Sequence, residues 1–300
     1  MEIAVVVVTY NRRALLQECL NAYTAQTSPP DFIIVVDNAS TDGTGEFLQL
    51  WEKDVQRHVQ KLVVHLPSNV GGSGGFFEGT KAALRTGAEW IWVADDDAVP
   101  SLNVLERCRT HLKALDIRNI AAICAKVISN GEVSTPQRYT REKGLLRIRF
   151  KDIPKERYMN DSFECDGFGY VGALMNANKL AVSGLIRGDF FIWHDDAEHS
   201  IRLSREGKII CYPDMEIVHK VNDIDYKEVT WKSFYGYRNN LLLLRLHYSP
   251  RYTIIKAILT LMKALRSKDR QSRDLILASI KAGLKGQRGL DSVYRPGWQK

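Results

Sequence analysis

Trp90-Ile91-Trp92-Val93-Ala94-Asp95-Asp96-Asp97 is five apolar residues followed at once by three carboxylates. A run this short and apolar reads as a strand buried on both faces. The carboxylates cannot follow it into the core, because unpaired buried charge is too costly. They are expected at the carboxyl end of the strand, the edge at which open α/β sheets bind ligands. Carboxylate oxygens are hard ligands, suited to Mg2+ or Mn2+ that also holds a phosphate.

Working outward, strand and helix signals alternate through the first half. Ile3 to Val8, Phe32 to Val36 and Leu62 to Leu66 read as further buried strands. Residues 14–26, with Leu15, Leu16, Cys19, Leu20 and Tyr23 at helical spacing, read as a helix, as do Gly43 to Trp51 and Gly75 to Gly87. This alternation implies right-handed βαβ units and a mainly parallel sheet, an α/β fold. Beyond it, Ile120 to Ile128, Phe168 to Met175, Ile209 to Tyr212 and Glu216 to His219 read as strands, residues 197–206 as a short helix and 136–164 as a long loop or flap. From Trp231 the pattern is helical, Pro250 interrupts it, and residues 251–285 carry an apolar stripe. The chain therefore divides into a catalytic-type α/β domain over 1–245 and a basic helical extension over 246–300.

Composition is ordinary for a globular protein, with 45% hydrophobic and 26% charged residues among 300. The net charge of +7 is uneven. From Arg245 to Lys300 there are 13 Lys/Arg against 3 Asp/Glu, so this stretch carries +10 and the rest −3. That excludes a basic nucleic-acid-binding body and points to a basic appendage with its own partner. No apolar run approaches the ~20 residues of a membrane span. The N-terminus enters a strand without a basic leader, and the five cysteines are scattered without a CxxC. A reduced, cytoplasmic protein is expected.

Other motifs cluster at strand ends. Thr9-Tyr10-Asn11-Arg12 follows the first strand and Asp37-Asn38-Ala39-Ser40 the second. Such polar groups can clasp a base and ribose, or simply cap helices and shape turns. Asn69-Val70-Gly71-Gly72-Ser73-Gly74-Gly75-Phe76 offers a close backbone approach ahead of a helix. It is neither a Walker A loop nor a dinucleotide fingerprint. A second acidic cluster, Asp195-Asp196, lies among Phe190, Phe191, Trp193 and His194, where a general base can be tuned. Phe234-Tyr235-Gly236-Tyr237-Arg238-Asn239-Asn240 reads as an ordinary helix start under an aromatic face.

Thr9-Tyr10-Asn11-Arg12, Val36 to Gly43 and Asp95-Asp96-Asp97 together resemble the signature of GT-A glycosyltransferases of the large inverting family 2, over roughly residues 1–245. The Gly-rich run and Trp193-His194-Asp195-Asp196-Ala197-Glu198 narrow the resemblance to the galactofuranosyltransferase and rhamnosyltransferase branch. It implies an inverting transfer from a nucleotide diphosphate sugar to a hydroxyl of a glycan or lipid-linked glycan in cell-surface polysaccharide synthesis. Under it, Asp95, Asp97 and His219 would hold Mn2+ or Mg2+. Asp37 would accept from the base N3–H, with Thr9, Tyr10 and Asn11 lining the base site. Asn69, Gly72, Gly74, Asp95 and Asp96 would complete the nucleotide-sugar site. Asp196 would be the catalytic base, with Asp195 orienting the acceptor beside Trp193 and His194. The galactofuranosyl branch implies a Lys ahead of the Trp-Asp-Asp run; its absence here shifts the diphosphate contact to Arg202 or a flap residue. UDP-galactofuranose is the first donor and dTDP-rhamnose the alternative.

Two other classes weigh less. A nucleotidyltransferase needs a basic phosphate loop after the first strand. A non-catalytic carbohydrate-binding or scaffold protein on the same fold would be expected to lose one acidic cluster, and both are intact. The stripe Ile254, Ile258, Leu261, Met262, Leu265, Leu275 and Leu277, interleaved with Lys and Arg, fits an anionic membrane surface or, equally, packing on the catalytic domain or a homo-oligomer contact.

Overall fold

The computed structural model describes residues 1–54, 59–220 and 229–298. Its first half is β1 (Ile3–Thr9), α1 (Arg13–Thr24), β2 (Phe32–Asp37), α2 (Thr44–Lys53), β3 (Gln60–His65), α3 (Gly71–Arg85) and β4 (Trp90–Asp95). β1 pairs in parallel with β2 and β4, and β2 with β3. The register sets Thr9 beside Asp37, Asp37 beside His65 and Val8 beside Asp95, so the polar strand ends share one edge.

Alternate strand residues enter opposite cores. Ile3, Val5, Val7, Ile33, Val35, Trp90 and Trp92 pack with Leu16 and Leu20 of α1. Val6, Val8, Ile34, Val36, Ile91 and Val93 pack with Phe76 and Ala83 of α3. Both faces being covered is why these strands show no polar alternation. Each such side chain fully buried contributes about 1.5–3 kcal/mol.

The second half adds β5 (Ala98–Pro100), α4 (Val104–Ala114), β6 (Ile120–Ser129), β7 (Glu132–Val133), β8 (Arg138–Lys143), β9 (Ile148–Asp152), β10 (Phe163–Cys165), β11 (Gly167–Phe168) and β12 (Ala173–Asn176). It closes with α5 (Ala177–Ser183), α6 (Asp195–Leu203), β13 (Lys208–His219), α7 (Trp231–His247), α8 (Pro250–Arg266) and α9 (Arg270–Lys285). The main sheet runs β3-β2-β1-β4-β12-β6-β13-β10, with β12 antiparallel to both neighbours. All five cysteines are buried free thiols.

Several expectations need correction. The expected flap over 136–164 contains a hairpin, β8 paired to β9; Tyr139, Ile148 and Phe150 face the packed side, an alternation masked by surrounding charges. The two short strands ending at His219 are one strand with an irregularity between Tyr212 and Glu216. Residues 168–175 divide at a turn around Gly172, whose φ is +69°. The Gly-rich run is not a loop ahead of α3 but its first turn. A Cβ on Gly75 would lie 2.4 Å from Val8 Cγ1, and one on Gly79 2.4 Å from Val6 Cγ1, so the glycines let α3 lie flat on the sheet. The 251–285 stripe is two helices, and α9 spends Leu275 and Ile276 on a core shared with Phe234 and Tyr235 of α7. The expected division at residue 245 falls inside α7. Among the described residues, no helix is long and apolar enough to cross a membrane.

Candidate functional site

β4 ends at Asp95, and the chain turns through Asp96 and Asp97 into β5. β5 pairs with the end of β13, with Ala98 opposite His219. That pairing brings an imidazole from far along the chain to the acidic turn. His219 Nε2 lies 3.1 Å from Asp97 Oδ1 and 3.8 Å from Asp95 Oδ2. One ligand atom from each of Asp95, Asp97 and His219 lies within 4.8 Å of the others. Asp97 Oδ1 is buried yet makes no hydrogen bond. Two carboxylates and one imidazole, with Asp97 and His219 in ion-pair contact, make a shell that fits a divalent cation.

The electrostatics agree. Desolvation in the crevice and the charge of Asp97 push Asp95 up to about 7. Burial likewise pushes Asp96 up to about 6, against the pull of Arg12. Burial opposes ionisation of Asp97 as well, but His219 and Arg12 outweigh it and its pKa is lowered. His219 is raised, because Asp97 and Asp95 outweigh its own desolvation. Asp96 does not face the crevice. Its carboxylate accepts from Thr9 Oγ1 at 2.7 Å and from Arg12 Nη1 at 3.2 Å, while Arg12 Nη1 also reaches Asp97 Oδ2 at 2.7 Å. Thr9 and Asp96 are thus spent on bracing the turn. Arg12, the last residue of the Thr-Tyr-Asn-Arg motif, was assigned no role from sequence.

The neighbouring strand ends form the adjacent part of the crevice. Asp37 Oδ1 accepts from Ser40 N at 3.0 Å, and Oδ2 lies 3.2 Å from His65 Nδ1. Asn11, at φ +54°, accepts from Thr41 N at 2.7 Å, and Tyr10 is exposed beside it. Asn69 Oδ1 accepts from Gly71 N at 2.8 Å and from Asn38 Nδ2 at 3.2 Å, fixing the start of α3. Gly72 faces open space, whereas Gly74 is packed on Val70.

The second acidic cluster is built differently. Asp195 and Asp196 open α6, where the helix N-terminus favours negative charge. They are preceded by a turn in which Phe191, Trp193 and His194 hold φ values of +68°, +65° and +64° without a glycine. Gly71 seats α3 against this turn, since a Cβ there would lie 2.0 Å from Phe191 O. Burial, then mutual repulsion, raises the pKa of Asp196, and Asp95 adds to it; burial also raises Asp195, which the Ser73 hydroxyl partly offsets. The two clusters therefore lie within electrostatic reach of each other.

Asp196 opens into a cavity of about 1170 Å³ bounded by the β8–β9 hairpin, α7, α8 and Trp298. Trp193, His194, Trp231 and Tyr237 line it. Burial and Lys256 push His194 down to about 4, so it stands neutral. Arg202 does not reach the site: it is held by Glu198 and by the carbonyls of Ser183, Gly184 and Leu185. Lys232, in the first turn of α7, lines the cavity and stands in the field of Arg12, Asp95 and Asp97. Nothing in its local sequence marks it, because only the approach of α7 to the acidic turn gives it a place.

Known proteins resemble this chain in sequence and in fold. The chain is 32% identical over 213 residues to galactofuranosyltransferase GlfT1 of Mycobacterium tuberculosis, covering 67% of this chain and 64% of the relative. It is 30% identical over 210 residues to the Mycolicibacterium smegmatis protein of that name, covering 68% and 66%. The match spans just under two thirds of either relative's length. The crystal structure of GalNAc-T7 with UDP, GalNAc and Mn2+ superposes with a TM-score of 0.67 at 13% identity, covering 95% of this chain and 56% of that one, a likeness of GT-A fold alone. Residues 4–176 match Glycosyl transferase family 2, and the chain belongs to that family.

Proposed function

We propose that the protein transfers a sugar, with inversion, from a nucleotide diphosphate donor to a hydroxyl of a glycan or lipid-linked glycan, with UDP-galactofuranose as first donor. The observation that carries this is the cluster of Asp95, Asp97 and His219 at the strand ends, with Asp196 within its electrostatic reach. A divalent ion held by the first three would neutralise charge on a departing nucleoside diphosphate. Asp196 stands on the cavity side, where it takes the proton as the acceptor oxygen bonds to the anomeric carbon and the bond to the diphosphate breaks. Its raised pKa suits that task near neutral pH. Asp37 accepts from a base N3–H, oriented by Ser40 N and His65. Lys232 supplies the diphosphate contact sought in Arg202.

The cavity supports an acceptor with an anionic and an apolar part. Arg147, Lys256 and Lys263 line it and have no carboxylate ion-pair partner among the described residues. Beside them, Leu145 and Leu146 at the hairpin tip and Ile254, Ile258, Leu261 and Leu265 of α8 are exposed. This rim supports a peripheral association with an anionic membrane interface. Incubation with a panel of nucleotide sugars and Mn2+, following nucleoside diphosphate release, tests the reading. Release from no donor overturns it, and a calorimetric preference for dTDP over UDP moves the donor to dTDP-rhamnose.

A further inference from the structure

Non-glycine residues at φ near +65° are held only where surroundings over-determine them, since each costs about 1–2 kcal/mol. Phe191, Trp193 and His194 are three within four residues, and Asp195 follows directly. What holds them is a pair of side chains on α7. Asn239 Nδ2 lies 2.9 Å from the carbonyl oxygens of Phe190, Ile192 and Trp193, its two N–H groups serving three acceptors with one of them shared. Arg238 Nη2 donates to Phe190 O at 3.0 Å and Nη1 to Gly289 O at 2.7 Å. Arg238 Nε donates to Asn239 Oδ1 at 2.9 Å, which fixes the amide with its nitrogen toward the turn. Both side chains are buried, Arg238 at 1% and Asn239 at 0% exposure. Arg238 has no carboxylate ion-pair partner among the described residues; its guanidinium instead lies 4.7 Å from the Tyr235 ring centre. A buried cation without a direct carboxylate partner is retained at a cost, and here its hydrogen bonds go to backbone carbonyls of the turn and of the C-terminal segment.

That segment completes the brace. Gly289 N donates to Asp189 O at 2.6 Å, and Arg288 pairs with Asp189 at 2.9 Å. Tyr294 stacks on Phe234 at 4.9 Å and touches Trp298, which lines the cavity. Among the described residues, the hydrogen bonds of Arg238 and Asn239 go to the turn, to Gly289 and to each other. The Asp95, Asp97 and His219 cluster is built from β4, β5 and β13, while the start of α3 rests on the turn through Ser73 N, which donates to Phe191 O at 3.1 Å.

We infer that Arg238 and Asn239 are positioning residues for the acceptor half of the reaction, holding the left-handed turn that sets Trp193 and His194 and, through the start of α6, Asp196. The inference rests on the glycosyl-transfer reading above. A merely structural role would lower stability and disturb both halves together; a positioning role separates them.

The test compares full-length wild type with Asn239→Leu and Asn239→Asp; the latter keeps the acceptor for Arg238 and loses the donors. Three readouts are taken: UDP affinity with Mn2+, kcat/KM for acceptor, and amide exchange over residues 190–197 and 93–98. Expected are UDP affinity within twofold of wild type, a fall of at least 30-fold in acceptor kcat/KM, and faster exchange confined to 190–197. Unchanged exchange in the turn, or transfer within threefold of wild type while the turn loosens, overturns the inference. So does a parallel loss of UDP affinity in both variants. If Asn239→Leu fails to fold, Asn239→Asp decides by the same criteria. Wild type that binds UDP and Mn2+ but releases no diphosphate from any donor overturns the transfer reading itself, and turn exchange then reports on the brace alone.

Discussion

Asp95 and Asp97 ride on the end of a central strand, whereas Asp196 rides on a turn whose backbone is locally unfavourable. In the first case parallel pairing of β1 with β4 and closure by β5 and β13 place the carboxylates, supported by short bonds to Thr9 and Arg12 and by Lys220 N donating to Asp97 O. In the second, the geometry is imposed by α7 and by residues near 289, far away in sequence. The cluster proposed for the donor side is thus pre-organised by the sheet, and the carboxylate proposed as base by a tertiary brace. Perturbations should separate the two.

The largest effect is expected at the sheet end. Asp97→Ala removes the buried oxygen that faces His219 and should abolish Mn2+-dependent UDP binding in calorimetry, with the fold retained by circular dichroism. Wild-type turnover that persists undiminished in EDTA would break the assignment of this cluster to a metal. Next comes Asp196→Asn, which keeps shape and loses the proton acceptor. UDP affinity should hold while kcat falls about 10²–10⁴-fold, the usual share of general-base catalysis. Greater damage from Asp195→Asn than from Asp196→Asn would reverse the roles within the pair.

A third expectation uses pH. Asp196 has a raised pKa, so as a base it is active only when deprotonated, and turnover should fall on acidification through a value above the ordinary carboxylate range. Stability runs the other way. A carboxyl whose folded pKa is raised stabilises the native state below its unfolded value of about 4, and that contribution is lost as pH rises through the folded value. At neutral pH the neutral isostere should therefore raise the thermal midpoint as it removes activity. A midpoint lowered by Asp196→Asn would mean that the carboxylate is paired in the native state.

The same contrast explains what could be read in the chain beforehand. Asp37, Asp95 and Asp97 follow unbroken apolar runs, so local pattern and the cost of burying charge place them together at strand ends. His219 follows such a run too, but only its pairing opposite Ala98 brings it to the acidic turn. The hairpin at 138–152 was hidden because its outward residues are charged and its inward alternation covers few positions. The glycines of α3 read as a loop because a Gly-rich stretch has little helix propensity; packing on Val6, Val8 and Phe191 overrides that. Arg238 and Asn239 carried no local signal, since their partners are backbone carbonyls of another segment, which no side-chain pattern records.

The smallest effect is expected at the rim, outside both halves of the site. The apolar stripe of the extension is divided: Leu275 and Ile276 are buried in the core under α7, while Ile254, Ile258, Leu261 and Leu265 of α8 stay exposed near Leu145 and Leu146. Tyr252 Oη donates to Gly144 O at 2.9 Å, so hairpin tip and helix form one surface. A helix that packs through Thr253, Ala257, Thr260 and Ala264 and leaves larger aliphatic side chains outward has a face with no partner in the monomer. Cations at Arg251, Arg266 and Lys268 add about 1 kcal/mol each near an anionic surface at low salt. Replacing Ile254 and Ile258 by Ser should reduce co-sedimentation with phosphatidylglycerol vesicles about tenfold or more, at about 1.5–3 kcal/mol for each side chain fully withdrawn from the interface, and leave UDP binding and transfer to a water-soluble acceptor unchanged. Added salt should weaken wild-type binding in the same assay. If full-length protein ignores such vesicles at low salt and instead sediments as a dimer that the double substitution disperses, the face belongs to a second copy of the chain and the membrane reading fails.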